Sequence, residues 1–313
     1  MPTQREMLRA DLRPLLLNAL HSAGLLSPPD QSLARYRLSA DLHAHLLDPD
    51  ITALEDYLLD HSHLPGPRAN LELVAAFGDE VGALCADPDL SLNHSYVALG
   101  WLIAHLLTRY PPAVFGDDPD SPLQMPQFCG LVAQGEWAVA FHHVEAGVAA
   151  LLDYAGSPLW RVREGVAFGL QRMLRHDWTG TINRLRRRAL DAGPYEWRAM
   201  VAGVAEPPLL DDPARALDAL DLHYAALAAL RHLPAGSRRA DPVRTLRQAL
   251  AYSVSVVVAA APEAGFAQMH AWAAWDDPDV AWVLRENLKK KRLAPWPDHL
   301  DVLRATLARQ KDG

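Results

Sequence analysis

Fourteen histidines are the first residues of this sequence that could do chemistry. Several sit close together: His43 and His45, His61 and His63, and His142-His143 with Glu145 just beyond. A metal ion held by one helix needs ligands three or four residues apart, because only those share a face. Pairs one or two apart point away from each other, and neither His-Glu-x-x-His nor Cys-x-x-Cys occurs. No metal site is therefore expected, and no cofactor. The sequence has no Gly-x-Ser-x-Gly elbow and no Gly-rich phosphate loop. Gly156 and Gly193 each precede a Ser-Pro or a Pro, as turn residues do. Two cysteines, Cys85 and Cys129, are too few for a disulfide framework or a structural zinc site. No residue is named as catalytic on these grounds.

Arginine and tryptophan offer a different chemistry. Over residues 160–175, Val162, Val166, Leu170 and Met173 form an apolar face, with Arg161, Arg172 and Arg175 opposite it. In the next helical stretch Ile182, Leu185 and Ala189 alternate with Arg184, Arg187 and Arg188. Arginines projecting from successive helices could follow a phosphate backbone. Eight of the nine tryptophans lie between residues 137 and 296, and indole rings stack on exposed bases. Trp160 with Glu164 and Trp282 with Glu286 repeat the form Trp-x-x-Arg-Glu, and Trp272 with Asp276 has the same spacing. The competing reading makes these tryptophans core residues and their carboxylates local hydrogen-bond acceptors. Lys289-Lys290-Lys291-Arg292 is the densest charge run, and a helix C-terminus favours cations through its dipole.

These side chains must be positioned by helices. The chain has 313 residues, half of them apolar, enough for two ordinary domains or one elongated array. Ala and Leu dominate and β-branched residues are scarce outside Val254 to Val258, a patch whose flanks continue a helical pattern. The periodicity predicts helices over 5–23, 31–47, 52–60, 70–86, 92–108, 136–154, 160–175, 179–192, 197–205, 213–233, 242–261, 266–275, 280–291 and 297–310. Prolines cluster between them, and the widest interruption, 111–126, divides an N-terminal helical region (1–110) from residues 127–313.

Charge is unevenly spread. Residues 1–156 carry −13 and residues 157–313 carry +5, which together give the net −8. Arg outnumbers Lys 26 to 4, a bias that GC-rich coding explains as well as phosphate recognition does. The uncharged run 248–262 is 15 residues and too short to span a bilayer. The N-terminus lacks the layout of a signal peptide. A cytoplasmic protein with no membrane partner is expected.

Four of the helical stretches share an arginine with an apolar residue one before it and another three after it. They read Val162-Arg163 with Val166, Trp197-Arg198 with Val201, Leu246-Arg247 with Leu250, and Leu284-Arg285 with Leu288. Trp160, Tyr195 and Trp282 stand three residues before three of these arginines, and Pro158, Pro194, Pro242 and Pro278 precede the four helices. The spacings of 35, 49 and 38 residues fit a unit of two antiparallel helices with their turns.

The segments at 157–170 and 277–288 resemble the second helix of HEAT repeats. That resemblance implies an all-α chain folded as an α-α superhelix, a solenoid of stacked helix pairs with a concave groove. It also implies a structural ladder in which Arg163, Arg198, Arg247 and Arg285 bond loop acids, with Asp241 and Asp277 in the acid positions. Ser157 and Pro194 depart from the pattern, so the ladder is incomplete there. The use such solenoids imply is non-enzymatic: a scaffold binding another protein or peptide. A weaker resemblance is to the HEAT-like DNA glycosylases that excise alkylated bases, which use Trp and a carboxylate on the concave surface. It would give Trp160, Glu164, Trp282 and Glu286 a role and make nucleic acid the partner. No full glycosylase motif is present, and the net charge opposes DNA.

Overall fold

The computed structural model describes residues 2–22, 50–88, 92–111, 114, 118 and 120–309. Among them are fourteen α-helices, three short 3-10 turns and no strand. The expected helix at 31–47, with His43 and His45, lies outside the described residues, as does part of the 111–126 interruption. The chain forms two compact units, Met1–Gly147 with Ser157–Gly169, and Val148–Gly156 with Leu170–Gly313.

In the first unit α1 (Gln4–Ser22) packs beside α2 (Thr52–Asp60) and mainly on α3 (Leu71–Cys85), while α2, α3 and α4 (Leu92–Thr108) gather about α5 (Gln124–Ala140). Asn70 opens α3 by accepting from the Leu73 amide at 3.1 Å. Helix α5 is buried on nearly every side: Phe128, Leu131, Val132 and Ala133 are core, and Gln124, Gln127 and Glu136 are buried with them. Each fully buried leucine or phenylalanine contributes roughly 1.5–3 kcal/mol. Helix α1 is held to α3 by charge as well as packing. Arg5, Arg9 and Arg13, one turn apart, meet Asp79 at 2.6 Å, Glu80 at 3.2 and 2.7 Å, and Asp87 at 2.7 Å. Glu80 is itself buried, so this clamp answers a carboxylate that burial would otherwise make costly.

Helix α5 departs from the sequence expectation. It begins inside the interval read as a loop, because Pro126 falls in its first turn, where a missing N–H costs nothing. The stretch 136–154, expected as one helix, is broken after Ala140 and resumes as α6 (Val144–Leu152), with His142 at φ 61° in the turn. Gly135 is the point of closest backbone approach. A Cβ there would stand 2.3 Å from the Gly169 carbonyl oxygen on α7 (Trp160–His176).

The second unit contains α8 (Trp178–Arg188), α9 (Pro194–Val204), α10 (Pro213–His232), α11 (Asp241–Ala260), α12 (Pro262–Ala273), α13 (Pro278–Asn287) and α14 (Pro297–Arg309). Proline is the first residue of α9, α10, α12, α13 and α14 and the second of α11, positions where its fixed φ suits a helix start. Asp212 caps α10 at the Ala214 amide, and Asp277 caps α13 at the amides of Asp279 and Val280. Helix α11 packs between α9 and α13, while α10 and α12 lean against it. The valine patch 254–258 is helical within α11 and buried.

Candidate functional site

The site is built on α11 and on the polar contacts that join it to α13. Arg247 of α11 donates from Nη1 to Asp279 Oδ1 at 2.6 Å and lies 4.8 Å over the Trp282 ring. Arg238, in the turn before α11, donates to Asp279 at 2.9 Å and to Asp277 at 2.7 Å. Burial pushes the Asp277 carboxyl up. The Arg238 hydrogen bond and the two amides it caps outweigh that and hold it below the ordinary range. Tyr195 of α9 donates to Asp241 at 2.6 Å, joining the preceding helix.

Asn287, fully buried at the end of α13, works on the backbone of α11. Its Oδ1 accepts from the Ser255 amide at 2.7 Å, and its Nδ2 donates to the Leu250 carbonyl at 2.9 Å. Those backbone groups are five residues apart, so the side-chain amide pins this turn of α11 to the end of α13. Tyr252 lies within that turn and Val256 directly after it, so Asn287 sets how both are presented.

Val256 borders a cleft of about 880 Å³, and Tyr252 stands beside its cationic rim. Its apolar lining is Pro207, Leu210, Val256, Ala259 and Ala260; its polar lining is Asp211 and the run Lys289, Lys290, Lys291 and Arg292. Leu210 and Val256 are buried, whereas Tyr252 is 53% exposed. Arg292 donates to the Tyr252 hydroxyl at 2.8 Å and stands 4.7 Å over its ring, with Lys290 at 5.6 Å. Each such cation–π contact at an exposed site contributes about 0.5–1 kcal/mol. Lys289 pairs with Glu286 at 2.5 Å. Lys290, Lys291 and Arg292 form no ion pair among the described residues. The lining can hold an anion and bury apolar atoms, but it carries no nucleophile with a base beside it.

The residues singled out from sequence scatter widely. Arg163 is half-buried and donates to the Ser157 and Pro158 carbonyls at 2.6 and 3.2 Å, within its own turn. Arg198 and Arg285 are half-buried. Arg247 meets an aspartate, but it is Asp279, two residues beyond the expected Asp277, which is occupied by capping and by Arg238. Asp241 pairs with Arg244 and Tyr195.

The basic stripe is corrected by burial. Arg161 is 1% exposed, 2.9 Å from Asp120 and 3.1 Å from the Gly66 carbonyl, and Arg172 is 7% exposed. Neither can reach a phosphate, because α7 has no open face at those positions. Arg175 and Arg187 are exposed and Arg184 half-buried, while Arg188 donates to Glu196 at 2.9 Å. Of the Trp–carboxylate pairs, Trp160 is 41% exposed beneath Arg161, with Glu164 half-buried; Trp282 lies under Arg247 and Glu286 is engaged by Lys289. Trp272 is buried.

His61 is bonded to the Tyr57 carbonyl and stacked on its ring at 4.0 Å, and His143 stacks on Trp137 at 5.6 Å. Among the described residues no group of three His, Cys, Asp or Glu could hold a metal ion. Cys85 and Cys129 are both buried. Burial, with Glu136 nearby, pushes the Cys85 thiol up to about 12, and burial raises Cys129 as well. Both remain protonated and unreactive at neutral pH.

Against known proteins, no family model matches this chain, and no curated protein matches it at a significant level. Among the described residues no helix is long and apolar enough to cross a membrane.

Sequence reasoning passed over the cleft and Asn287. The four-cation run was visible but reads equally well as a helix end. A lone Asn inside Leu284-Arg-Glu-Asn-Leu288 was the available signal for a buried amide.

Proposed function

We propose that this chain is a non-enzymatic binding protein of the HEAT-repeat kind, its helix pairs stacked as an α-α superhelix that presents a groove to another protein or peptide. The observation that carries the reading is the cleft on α11, an apolar floor with a cationic rim, on a helix braced from both sides. The brace is polar, with half-buried Arg247 meeting buried Asp279 and with Asn287 fully buried, so the helix can offer an open face without losing its own register. Such a rigid, partly apolar depression suits a partner whose side chain fills it. DNA is a poorer fit, since Arg161 and Arg172 are buried and Arg188 is paired.

The test is site-directed photocrosslinking. A benzophenone amino acid at Tyr252 or Lys291 should trap one defined polypeptide from cell extract. That species, identified by mass spectrometry and purified, should rebind the full chain. The same probe at exposed Ala305 should not trap it. Failure to trap any species from the cleft positions, or equal trapping from Ala305, would sink the reading.

A further inference from the structure

We infer that the cleft beside Tyr252 takes an acidic polypeptide segment bearing one apolar anchor side chain. The inference rests on the binding-protein reading and names the chemistry of the partner.

The first ground is uncompensated charge. Elsewhere in the second unit Arg186, Arg188, Arg238, Arg244, Arg247 and Arg304 each meet a carboxylate. Lys290, Lys291 and Arg292 do not, and unlike Arg231, Arg239 and Arg309, which also form no ion pair among the described residues, they are consecutive, in a chain whose net charge is −8. The short turn Lys291–Leu293 fixes their backbone, and Tyr252 holds Arg292 in place, so they cannot spread apart freely. Their mutual repulsion falls when an anion enters. The C-terminus of α13 offsets part of it, though a helix dipole acts as only about half a charge and fades within the last turn.

The second ground is the floor. Val256, Ala259, Leu210 and Pro207 present apolar atoms over a volume at the upper end of small-ligand clefts, which run to about 1,000 Å³. Inorganic phosphate would answer the cations and leave that floor wet. A leucine or phenylalanine side chain would cover it, at about 25 cal/mol per Å² of apolar surface removed from water.

The third ground is Asp211, the carboxylate in the lining. A phosphodiester backbone or an anionic lipid surface gains nothing from it and is repelled. A peptide backbone can donate an N–H to it. Carboxylates for the cations, an apolar residue for the floor and an amide for Asp211 together describe a polypeptide.

The probe is a short fluorescein-labelled peptide of glutamates flanking one Leu-Phe pair, titrated with the full chain and read by fluorescence anisotropy. Saturable binding is expected, weakening as salt is raised to about 0.15 M, where the Debye length is about 8 Å. Lys290→Glu with Lys291→Glu should weaken it at least about tenfold, equivalent to 1.4 kcal/mol. Circular dichroism should show the variant's melting unchanged. Replacing Leu-Phe by Gly-Gly in the peptide should weaken binding by at least about fivefold, the loss of a small part of the floor contact. Four outcomes each overturn the inference: no saturable binding, equal affinity for the Gly-Gly peptide, no loss in the double variant, or tighter binding of a short DNA duplex or phosphatidylserine vesicles. If the peptide fails while Tyr252 still crosslinks a defined polypeptide, the acidic class is wrong and the binding-protein reading stands. Empty crosslinks at Tyr252 and Lys291 remove that reading itself.

Discussion

Asn287 Oδ1 lies 2.7 Å from the backbone nitrogen of Ser255, so a side chain at the end of α13 accepts directly from the main chain of α11. The same amide serves the Leu250 and Val283 carbonyls. Asn287→Ala removes all three contacts at a fully buried position and takes a buried acceptor from the Ser255 N–H. An unsatisfied buried group costs about 1–3 kcal/mol, so a loss of roughly 2–4 kcal/mol is expected, seen as a lower urea midpoint at constant slope. An unchanged midpoint would mean that α11 closes its own turn and that Asn287 braces nothing.

Arg247 and Asp279 should be energetically coupled. Arg247→Ala is expected to cost roughly 1–3 kcal/mol, for a charged hydrogen bond between half-buried and buried partners. Asp279→Ala should cost more, because it takes a partner from both Arg238, which keeps Asp277, and Arg247. A double-mutant cycle on Arg247 and Asp279 should return about 1 kcal/mol or more of coupling. Strict additivity would show the contact to be a surface pair without consequence.

His223 makes stability depend on pH. It is fully buried on α10, donating from Nδ1 to the Ala219 carbonyl at 2.7 Å and accepting at Nε2 from the Ser253 hydroxyl at 2.9 Å. Burial lowers its pKa from the ordinary 6.5 to about 4, with the Ala219 carbonyl opposing the shift only in part. The unfolded chain therefore takes up a proton near pH 6.5 that the folded chain refuses until about 4. The contribution is intact above pH 6.5 and falls away between 6.5 and 4, by roughly 3 kcal/mol in total. His223→Gln should flatten the stability profile across that window. A wild-type profile already flat from pH 7 to 4.5 would contradict the burial of a neutral imidazole.

Gly135→Ala should destabilise the protein despite alanine's better helix propensity. The added methyl meets the backbone oxygen of Gly169 at 2.3 Å, and a backbone cannot rotate aside as a side chain can. The propensity gain of about 1 kcal/mol is set against overpacking of about 1–3 kcal/mol. The net effect should be a lower melting temperature by calorimetry. A raised one would show that α5 and α7 separate easily at this point.

The all-helical class was legible in the sequence because alanine and leucine periodicity and proline punctuation act locally. Pro194, Pro213, Pro262, Pro278 and Pro297 each begin a helix, whereas Asp277, expected as a ladder acid, caps α13 and binds Arg238. Helix α5 was harder to read. Pro126 and two glycines interrupt its apolar run, and only the close approach of Leu106 and Leu107 to Gly130 and of Gly169 to Gly135 gives those glycines a reason. The clamp of Arg5, Arg9 and Arg13 on α3 spans some seventy residues of sequence, and nothing local announces it. The fate of Arg161 was equally hidden. Its spacing fits an exposed stripe, yet Asp120 and the Gly66 carbonyl, far away in the chain, enclose it. The cleft escaped notice because its floor and rim come from three separate segments, each ordinary alone.

The packing order of the second unit also bears on how the chain comes into being. Helix α11 rests on α9, and α13 rests on α11, so each helix finds its support in one already synthesised. Contacts between near neighbours in sequence form quickly, since little loop entropy is lost in closing them. A ribosome releasing this half of the chain would deliver α9 and α10 before α11 needs them. The Tyr252 face would then stay unfinished until α13 emerges and Asn287 reaches the α11 backbone, so completion of the cleft waits on a helix made well after the one that carries it.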